Sequence, residues 1–585
     1  MSPRGGLRIQ LLLLLLAGGL LFLWRLNAVG QVDETPALFA AAGRAMAETG
    51  DWITPRVNGH PRFDKPVLIY WLIGLGSSWL PSALDPLGGL AACLPSALAT
   101  IAVMLALAIT VPLDRGAMPT APLAAGLAFA LSPLVLVWGR VSVSDPLLTA
   151  CVAVALLGFW RAYADPHSRR PWFAWLALGL AVLAKGPVGL LLPLLVLLLF
   201  AWLQRDAGGL ARAVHPVPGL TLTLAVALPW YLLVWQREGG AFVQSFFGYH
   251  NLQRFTQVVN HHAGPWWFYL PVLALASLPF LPLLLLGLAS GARGLRRRTP
   301  LRAAESLPRF ALCWLLVVVV FFSLSATKLP SYLLPGLPAM ALLVALADGP
   351  PPQLRTGRLG SLLLLALLAL VLQVAPLWLP WVHDPEMPGL AEALIASGLV
   401  RGAGMLTLAA AAVGALRLWR HPMPRAWLPS VQLPLVLLGP LVLAPLAGQV
   451  DHIRQAPVRA MAATVRRHLR PAEPLAMAGI NKPSLHYYSR QVVHYAGQPP
   501  TGLRNLGEQL GSPKGPRDPS PTLLLVIDAG TAALPHWRAV PHRSLATAGL
   551  YRLWRVERQA LAQLSSALAQ KGVPSTWRTH DPERY

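Results

Sequence analysis

The chain has 585 residues, 55% of them apolar and 12% charged, with a mean hydropathy of +0.53, which excludes a set of soluble domains and makes it a membrane protein. Its 48 Lys and Arg against 24 Asp and Glu give a net charge of +24, but the basic residues lie between apolar runs rather than on one soluble face, which excludes a nucleic-acid partner. Cys93, Cys151 and Cys313 each sit inside an apolar run without CxxC spacing, which excludes a disulfide framework and a cysteine zinc site.

A span needs about 20 mostly apolar residues to cross a hydrocarbon core of roughly 30 Å. Charge-poor stretches fall at about 7–26, 88–112, 118–138, 144–161, 171–186, 187–204, 216–235, 266–290, 310–326, 329–347, 359–382, 400–418 and 430–448, which predicts roughly thirteen transmembrane helices. The first follows Arg4 and Arg8, lacks a clear cleavage site and ends in Trp24-Arg25, so it reads as an uncleaved helix with an interface anchor.

Residues 66–84 are also charge-free, and the positive-inside rule decides their placement. Laid on the interface, they leave Arg4/Arg8, Arg115, Arg161/Arg169/Arg170, Arg205/Arg212, the Arg293–Arg309 cluster, Arg355/Arg358 and Arg417/Arg420/Arg425 on the cytoplasmic side. Counted as a span, they would turn all but the first pair outward. The amino terminus is therefore expected in the cytoplasm. Residues 1–448 form the transmembrane domain, with external loops 27–87 and 236–265, and 449–585 form a soluble external domain.

That last domain carries the β-like runs LAMAGI, QVVHYAG and TLLLVID and a helical pattern near 454–470, which predicts a small α/β module. LGSPKGPRDPSPT reads as a loop, and 559–585 as a helix that becomes polar. No repeat of 20–50 residues is evident.

The remaining polar residues collect on the expected outer side. They are Asp33-Glu34 after the first span, Asp64 and Lys65 in RFDKP, Arg140 and Asp145 in RVSVSDP, and Lys185 within an apolar hairpin. His250, Asn251 and Arg254 in FFGYHNLQRF and Lys328 and Tyr332 in SATKLPSYLLP complete the set. An ionisable group near a bilayer is costly unless paired or wetted, so their joint placement at one depth predicts a polar cavity. Individually, Asp145-Pro146 also fits a helix start, and Lys185 and Lys328 also fit snorkelling. His261-His262 reads as surface polarity and PWWFYLP at 265–271 as an interface belt. Cations beside carboxylates suit a phosphate-bearing substrate, with Lys as a point charge and Arg as a fork. The carboxylates suit a base or support for an oxocarbenium-like sugar.

The stretches VDET at 32–35, ETGDWITPRVNGHPRFDKPVLIYWL at 48–72, VSVSDPLLT at 141–149, LAKGPVG at 183–189, HNLQRF at 250–255, KLPSYLLP at 328–335 and KPSLHYYSRQVV at 482–493 resemble a known family. They are similar to the polyprenyl-phosphate-sugar glycosyltransferases of the C-type membrane fold. The nearest resemblance is to the bacterial transferases that place 4-amino-4-deoxy-L-arabinose on lipid A, with protein O-mannosyltransferases more distant. The resemblance implies that Asp33 is the principal catalytic carboxylate, with Glu34 beside it and Asp145 as the second acidic position. It implies that Lys65 meets the lipid-linked phosphate, assisted by Tyr332 and Arg254, with Lys328 as a further phosphate contact. Asp64, Lys185, His250 and Asn251 would complete the pocket. Three departures stand out: Pro36-Ala37 where Arg-Tyr is usual, His250-Asn251 where Glu-His is usual, and Asp64 in place of glutamate.

The function expected is transfer of a hexose or pentose from a polyprenyl-phosphate donor to a lipid A-like or other envelope acceptor, in the outer leaflet of the inner or plasma membrane. Transfer to a protein hydroxyl and a lipid-linked sugar flippase are the alternatives. A divalent metal is left open, and the partners expected are the donor, a lipid or protein acceptor and membrane lipids.

Overall fold

Leucine- and alanine-rich runs become helices here because, away from water, each backbone N–H and C=O must be paired within its own segment. The protein is seen as a computed structural model that describes residues 3–111, 119–165, 170–259, 262–293, 301–421, 423, 426–512 and 519–577. Among the described residues, eight helices are long and apolar enough to cross a membrane: Gly5–Ala28, Gly89–Thr110, Asp145–Ala164, Pro216–Glu238, Leu307–Leu324, Pro351–Gln373, Leu399–Arg420 and Trp427–Arg454. Tyr269–Ala276 and Leu281–Ala292, bent by 113° at their junction, would make a ninth. Shorter apolar helices lie at Leu68–Trp79, Ala121–Ala130, Pro171–Lys185, Val188–Gln204 and Pro330–Ala345.

Length alone therefore does not give thirteen crossings: Pro171–Lys185 and Val188–Gln204 are short helices joined at Gly186, and in three further runs a proline stands at the break. The run 118–138 divides into Ala121–Ala130 and Pro133–Trp138. The run 266–290 breaks around Pro279 and Pro282, and 329–347 opens as the 3-10 turn Pro330–Gly336 before Leu337–Ala345. Proline lacks the N–H that would continue each ladder. Residues 66–84 contain the 12-residue helix Leu68–Trp79, at about 18 Å too short to span. The Arg293–Arg298 cluster after Arg293, His261, residues 513–518 of the Pro/Gly loop and the polar tail from 578 lie outside the described residues.

Between the first helix and Gly89 the chain forms the helix Thr35–Thr49 and a small antiparallel hairpin of β1 (Arg56–Val57) and β2 (His60–Pro61). Asp145–Ala164 and Arg170–Lys185 form a helical hairpin, so the start of one helix and the end of the other reach the same level. That is the arrangement the site needs.

After Arg454 the composition turns polar and an α/β domain follows. Its strands are β3 (Leu475–Ala478), β4 (Val493–Ala496), β5 (Thr522–Asp528), β6 (His542–Ala548) and β7 (Tyr551–Glu557), in the order β4-β3-β5-β7-β6. β3 runs parallel to β4 and β5, while β7 pairs antiparallel with β5 and β6. The all-apolar centre of β5 is explained by burial on both faces. Leu523, Leu525 and Ile527 pack with Leu503, Leu506 and Leu561. Leu524 and Val526 pack with Val458, Met461 and Val465.

Arg558, only 1% exposed, ties this domain together by donating to the carbonyls of Leu510 (2.5 Å), Ser512 (2.5 Å) and Ser520 (3.1 Å). Arg558→Met leaves those buried carbonyls without their donor, at a cost of about 2–4 kcal/mol. Pulse proteolysis of the detergent-solubilised full chain is expected to show the carboxyl-terminal domain cleaved at lower denaturant, with the helical domain unaffected.

Candidate active site

The first long loop is held against the second by charge. Asp51 accepts from Arg237 (2.7 Å), and Glu238 accepts from Thr54 Oγ1 (2.8 Å) and Arg56 (3.0 Å). Phe63 stacks edge-on to Phe242 at 5.5 Å. These contacts bring the residues after β2 beside the π-helical stretch Val243–Gln253 that carries His250.

Asp64 is the hub of the first loop. Its Oδ2 accepts from Arg62 at 2.5 Å and its Oδ1 from the Tyr70 hydroxyl at 2.7 Å, all within buried surroundings. Burial works to raise this carboxyl. The charges of Arg62 and Lys65, with the Tyr70 hydrogen bond, outweigh it and hold Asp64 well below the usual carboxylate range. Lys65 donates to the Asp64 carbonyl at 2.7 Å. Its ammonium is pushed down to about 8, chiefly by burial; Asp64 and Asp145 oppose this, while Arg254 and Lys185 reinforce it. His250 is pushed down to about 3 by burial and by Lys65, so its imidazole is neutral.

Asp145 opens its helix and Lys185 closes the antiparallel one, so each charge complements the helix end it occupies. They meet at 2.7 Å, and the Lys185 ammonium lies 5.1 Å from the Tyr332 ring centroid. The turn after Lys185 requires Gly186, which has φ +80° and whose missing Cβ would lie 2.7 Å from Phe246 Cζ. Asn251 abuts the same glycine and donates to the Phe246 carbonyl at 2.6 Å.

Asp64, Lys65, Asp145, Lys185, His250, Arg254 and Tyr332 thus lie together, with Asn251 at the margin. Lys328 is directed elsewhere: its ammonium donates to Ser323 O (2.9 Å) and Ser325 O (2.5 Å), closing the end of Leu307–Leu324. Asp33 contacts none of this group. It is buried against the carboxyl-terminal domain, where Ser484 N–H and Oγ donate to its two oxygens at 2.8 and 2.5 Å. Burial pushes its carboxyl up to about 6 despite Ser484, Lys482 and Gln455, which favour the charged form. Glu34 beside it is exposed.

Arg62, Tyr70 and Gln455 join the site without being marked by any motif of their own. A buried carboxylate needs donors, so the Arg and Tyr flanking Asp64 at short spacing are the signal that could have found the first two. For a divalent metal, Asp64 and His250 are neighbours, but Arg62 and Tyr70 already occupy both Asp64 oxygens. Among the described residues no three His, Cys, Asp or Glu side chains converge to hold one.

A buried cluster of cations and carboxylates among apolar helices, followed by an α/β domain, is the arrangement of a polytopic membrane enzyme, and its similarity to known proteins makes it a glycosyltransferase. Residues 11–241 match the dolichyl-phosphate-mannose-protein mannosyltransferase family, and 468–572 match the cyanobacterial RgtA-type glycosyltransferase C-terminal domain. The chain is 33% identical over 447 residues to undecaprenyl phosphate-α-4-amino-4-deoxy-L-arabinose arabinosyl transferase 2 of Pseudomonas fluorescens, covering 74% of this chain and 73% of that protein. It is likewise 33% identical over 420 residues to the Pseudomonas aeruginosa arabinosyl transferase, covering 71% and 72%. The chain belongs to this family of arabinosyl transferases. The crystal structure of ArnT from Cupriavidus metallidurans bound to undecaprenyl phosphate shares the fold, with a TM-score of 0.74 at 23% identity over 94% of this chain and 98% of that one. Membership decides for glycosyl transfer over the flippase reading.

Lys65 near its own titration point makes anion binding pH-dependent. A phosphate binds the charged ammonium, so affinity falls as pH rises through about 8, by about tenfold per unit beyond it. Kd values for a polyprenyl phosphate between about pH 7 and 10 are expected to show this fall in the wild type. Lys65→Arg, whose guanidinium stays charged, is expected to flatten it.

Proposed function

We propose that this glycosyltransferase moves 4-amino-4-deoxy-L-arabinose, the sugar in its relatives' names, from a polyprenyl phosphate to a phosphate of a lipid A-type acceptor. The reaction is placed at the outer face of the inner membrane. The amino terminus is then cytoplasmic, the carboxyl-terminal domain periplasmic, and the bent pair with the shorter apolar helices other than Leu68–Trp79 completes the thirteen crossings.

The observation that carries the reading is a charge imbalance. Arg62, Lys65, Lys185 and Arg254 lie among Asp64 and Asp145 while His250 is neutral, an excess of two positive charges in a largely buried cluster. Buried charge left uncompensated is expensive, and a phosphate monoester dianion is the complement. Lys65 and Arg254, which stand at the lysine and arginine positions of the family pattern and lie close enough to feel each other's charge, grip the phosphate, with Tyr332 beside them. Lys328 supports the loop behind.

The bond that breaks joins the anomeric carbon to the donor phosphate oxygen, and its electron pair stays with that oxygen. A phosphodiester monoanion becomes a monoester dianion, so negative charge grows where the cations already point. This is preorganised stabilisation of the transition state rather than of the bound donor. An acceptor phosphate oxygen, already anionic, forms the new bond from the opposite face and inverts the centre without a base. Asp33 orients the acceptor and supports positive charge on the sugar ring, with Glu34 exposed beside it.

Purified protein in vesicles supplied with undecaprenyl-phosphate aminoarabinose and lipid A is expected to yield lipid A heavier by one aminopentose on mass spectrometry. Lys65→Ala is expected to lower kcat by about 100-fold or more, the scale of a lost oxyanion contact. Unmodified lipid A, with sugar on protein serine or threonine instead, would contradict the acceptor. Near-normal turnover by Lys65→Ala would contradict the phosphate assignment.

A further inference from the structure

The segment Gly30–Asp33, which leads from the first helix, is strapped along its length to the end of the last long helix and to the carboxyl-terminal domain that follows it. Gly30 N–H donates to Asp451 Oδ1 (2.9 Å), and the same carboxylate is clamped by both terminal nitrogens of Arg459 (2.7 and 2.5 Å). Gln31 N–H donates to the Tyr488 hydroxyl at 2.7 Å. The approach is close at Gly30, where an added Cβ would stand 2.4 Å from both Arg459 Nη1 and Tyr488 Oη and would push those side-chain ends aside.

The strap ends on the carboxylate. Besides the two bonds from Ser484, the Gln455 amide, turned to satisfy its neighbours, donates to Asp33 Oδ2 (3.0 Å) and accepts from Asp33 N–H (3.1 Å). A carboxylate has about four acceptor directions, and Ser484 and Gln455 fill three of them. One remains for a substrate hydrogen. The turn presenting Ser484 is itself anchored from the helical domain. Lys482, fully buried, pairs at 2.5 Å with Glu386 in the loop after Pro351–Gln373, and Arg454 shares that carboxylate at 2.5 Å.

We infer that Ser484 and Gln455 of the carboxyl-terminal domain are positioning residues for the transfer, holding the Asp33 carboxylate charged and fixed in orientation, with Glu386–Lys482 fixing Ser484 in turn. This rests on the proposed role of Asp33 in the reaction. It gives the KPS motif at 482–484 a function in turnover and makes the second domain part of the active site.

The charged and titratable groups around Asp33 are Lys482, Tyr495 and Tyr551, with Glu386 and Arg454 behind Lys482. Both tyrosine hydroxyls are pushed up by burial and stay neutral through the working range. Among these protein groups Asp33, whose carboxyl is near 6, is the one that contributes to the acidic limb, and titration of the acceptor phosphate is common to every variant compared. Removing a donor that favours the charged form moves that limb to higher pH.

The test compares wild type, Ser484→Ala, Ser484→Thr and Asp33→Asn as full-length protein in vesicles, following transfer from undecaprenyl-phosphate aminoarabinose. For Ser484→Ala the acidic limb of kcat is expected to rise by about one unit. The rate is then about fivefold low near about pH 6 and within about twofold of wild type near about pH 8.5, with donor KM within about twofold. Ser484→Thr is expected to restore the limb. A wild-type limb for Ser484→Ala beside an inactive Asp33→Asn overturns the inference. An active Asp33→Asn overturns instead the reading of Asp33 beneath it. If Ser484→Ala does not accumulate, Gln455→Leu removes the other donor to the same carboxylate and faces the same two outcomes.

Discussion

Lys185 and Asp145 meet at 2.7 Å because two consecutive helices run antiparallel, one beginning where the other ends. Neither charge could sit in apolar surroundings alone, and each also complements the helix terminus that bears it. Once that pair is in place, other features follow from it. Gly186 must take a positive φ to reverse the chain beside Phe246. Tyr332, in the 3-10 turn at the head of Leu337–Ala345, receives the ammonium on its ring face. The long loops then bring Lys65 and Arg254 beside a pair whose own lysine is already neutralised.

This division of labour explains why a site so rich in cations can still select for a phosphate. Arg62 and Lys185 are spent on carboxylates, and they fix the positions of Asp64 and Asp145 more than they attract substrate. Together with Lys65 and Arg254, these cations outnumber the two carboxylates, and on the proposed reading it is Lys65 and Arg254 that meet the substrate. A phosphodiester donor brings one negative charge and leaves as a monoester with two, so the surplus is matched by the product of bond cleavage rather than by the donor. Cations placed this way favour the direction of charge development.

Some of this is legible in the residues alone. Asp33, Lys65, Asp145 and Tyr332 stand out because an ionisable or polar group next to a long apolar run demands an explanation. Proline-broken helices are harder: 118–138 and 329–347 have the composition of single spans, and only the three-dimensional path shows where Pro133 and Pro335 divide them. The β6–β7 hairpin escapes notice because β6 is an edge strand with the largely exposed pattern of HRSLATA, which lacks the apolar alternation that marks a half-buried strand. The capture of Asp33 by Ser484 is a contact across some 450 residues, invisible to any local spacing. Lys328 shows the converse: it belongs to a recognisable motif, yet its ammonium is consumed by helix-end carbonyls.

The central claim is that the surplus cations recognise the phosphate of a polyprenyl lipid. Its most direct measurement is competitive lipid binding by native mass spectrometry, with protein in nanodiscs offered undecaprenyl phosphate and undecaprenol of identical chain length. Wild type is predicted to retain the phosphate form strongly over the alcohol, and the Lys65→Ala, Arg254→Ala double variant is predicted to lose that preference while binding both chains comparably. Equal retention of phosphate and alcohol by the wild type, or an undiminished preference in the double variant, would contradict the account.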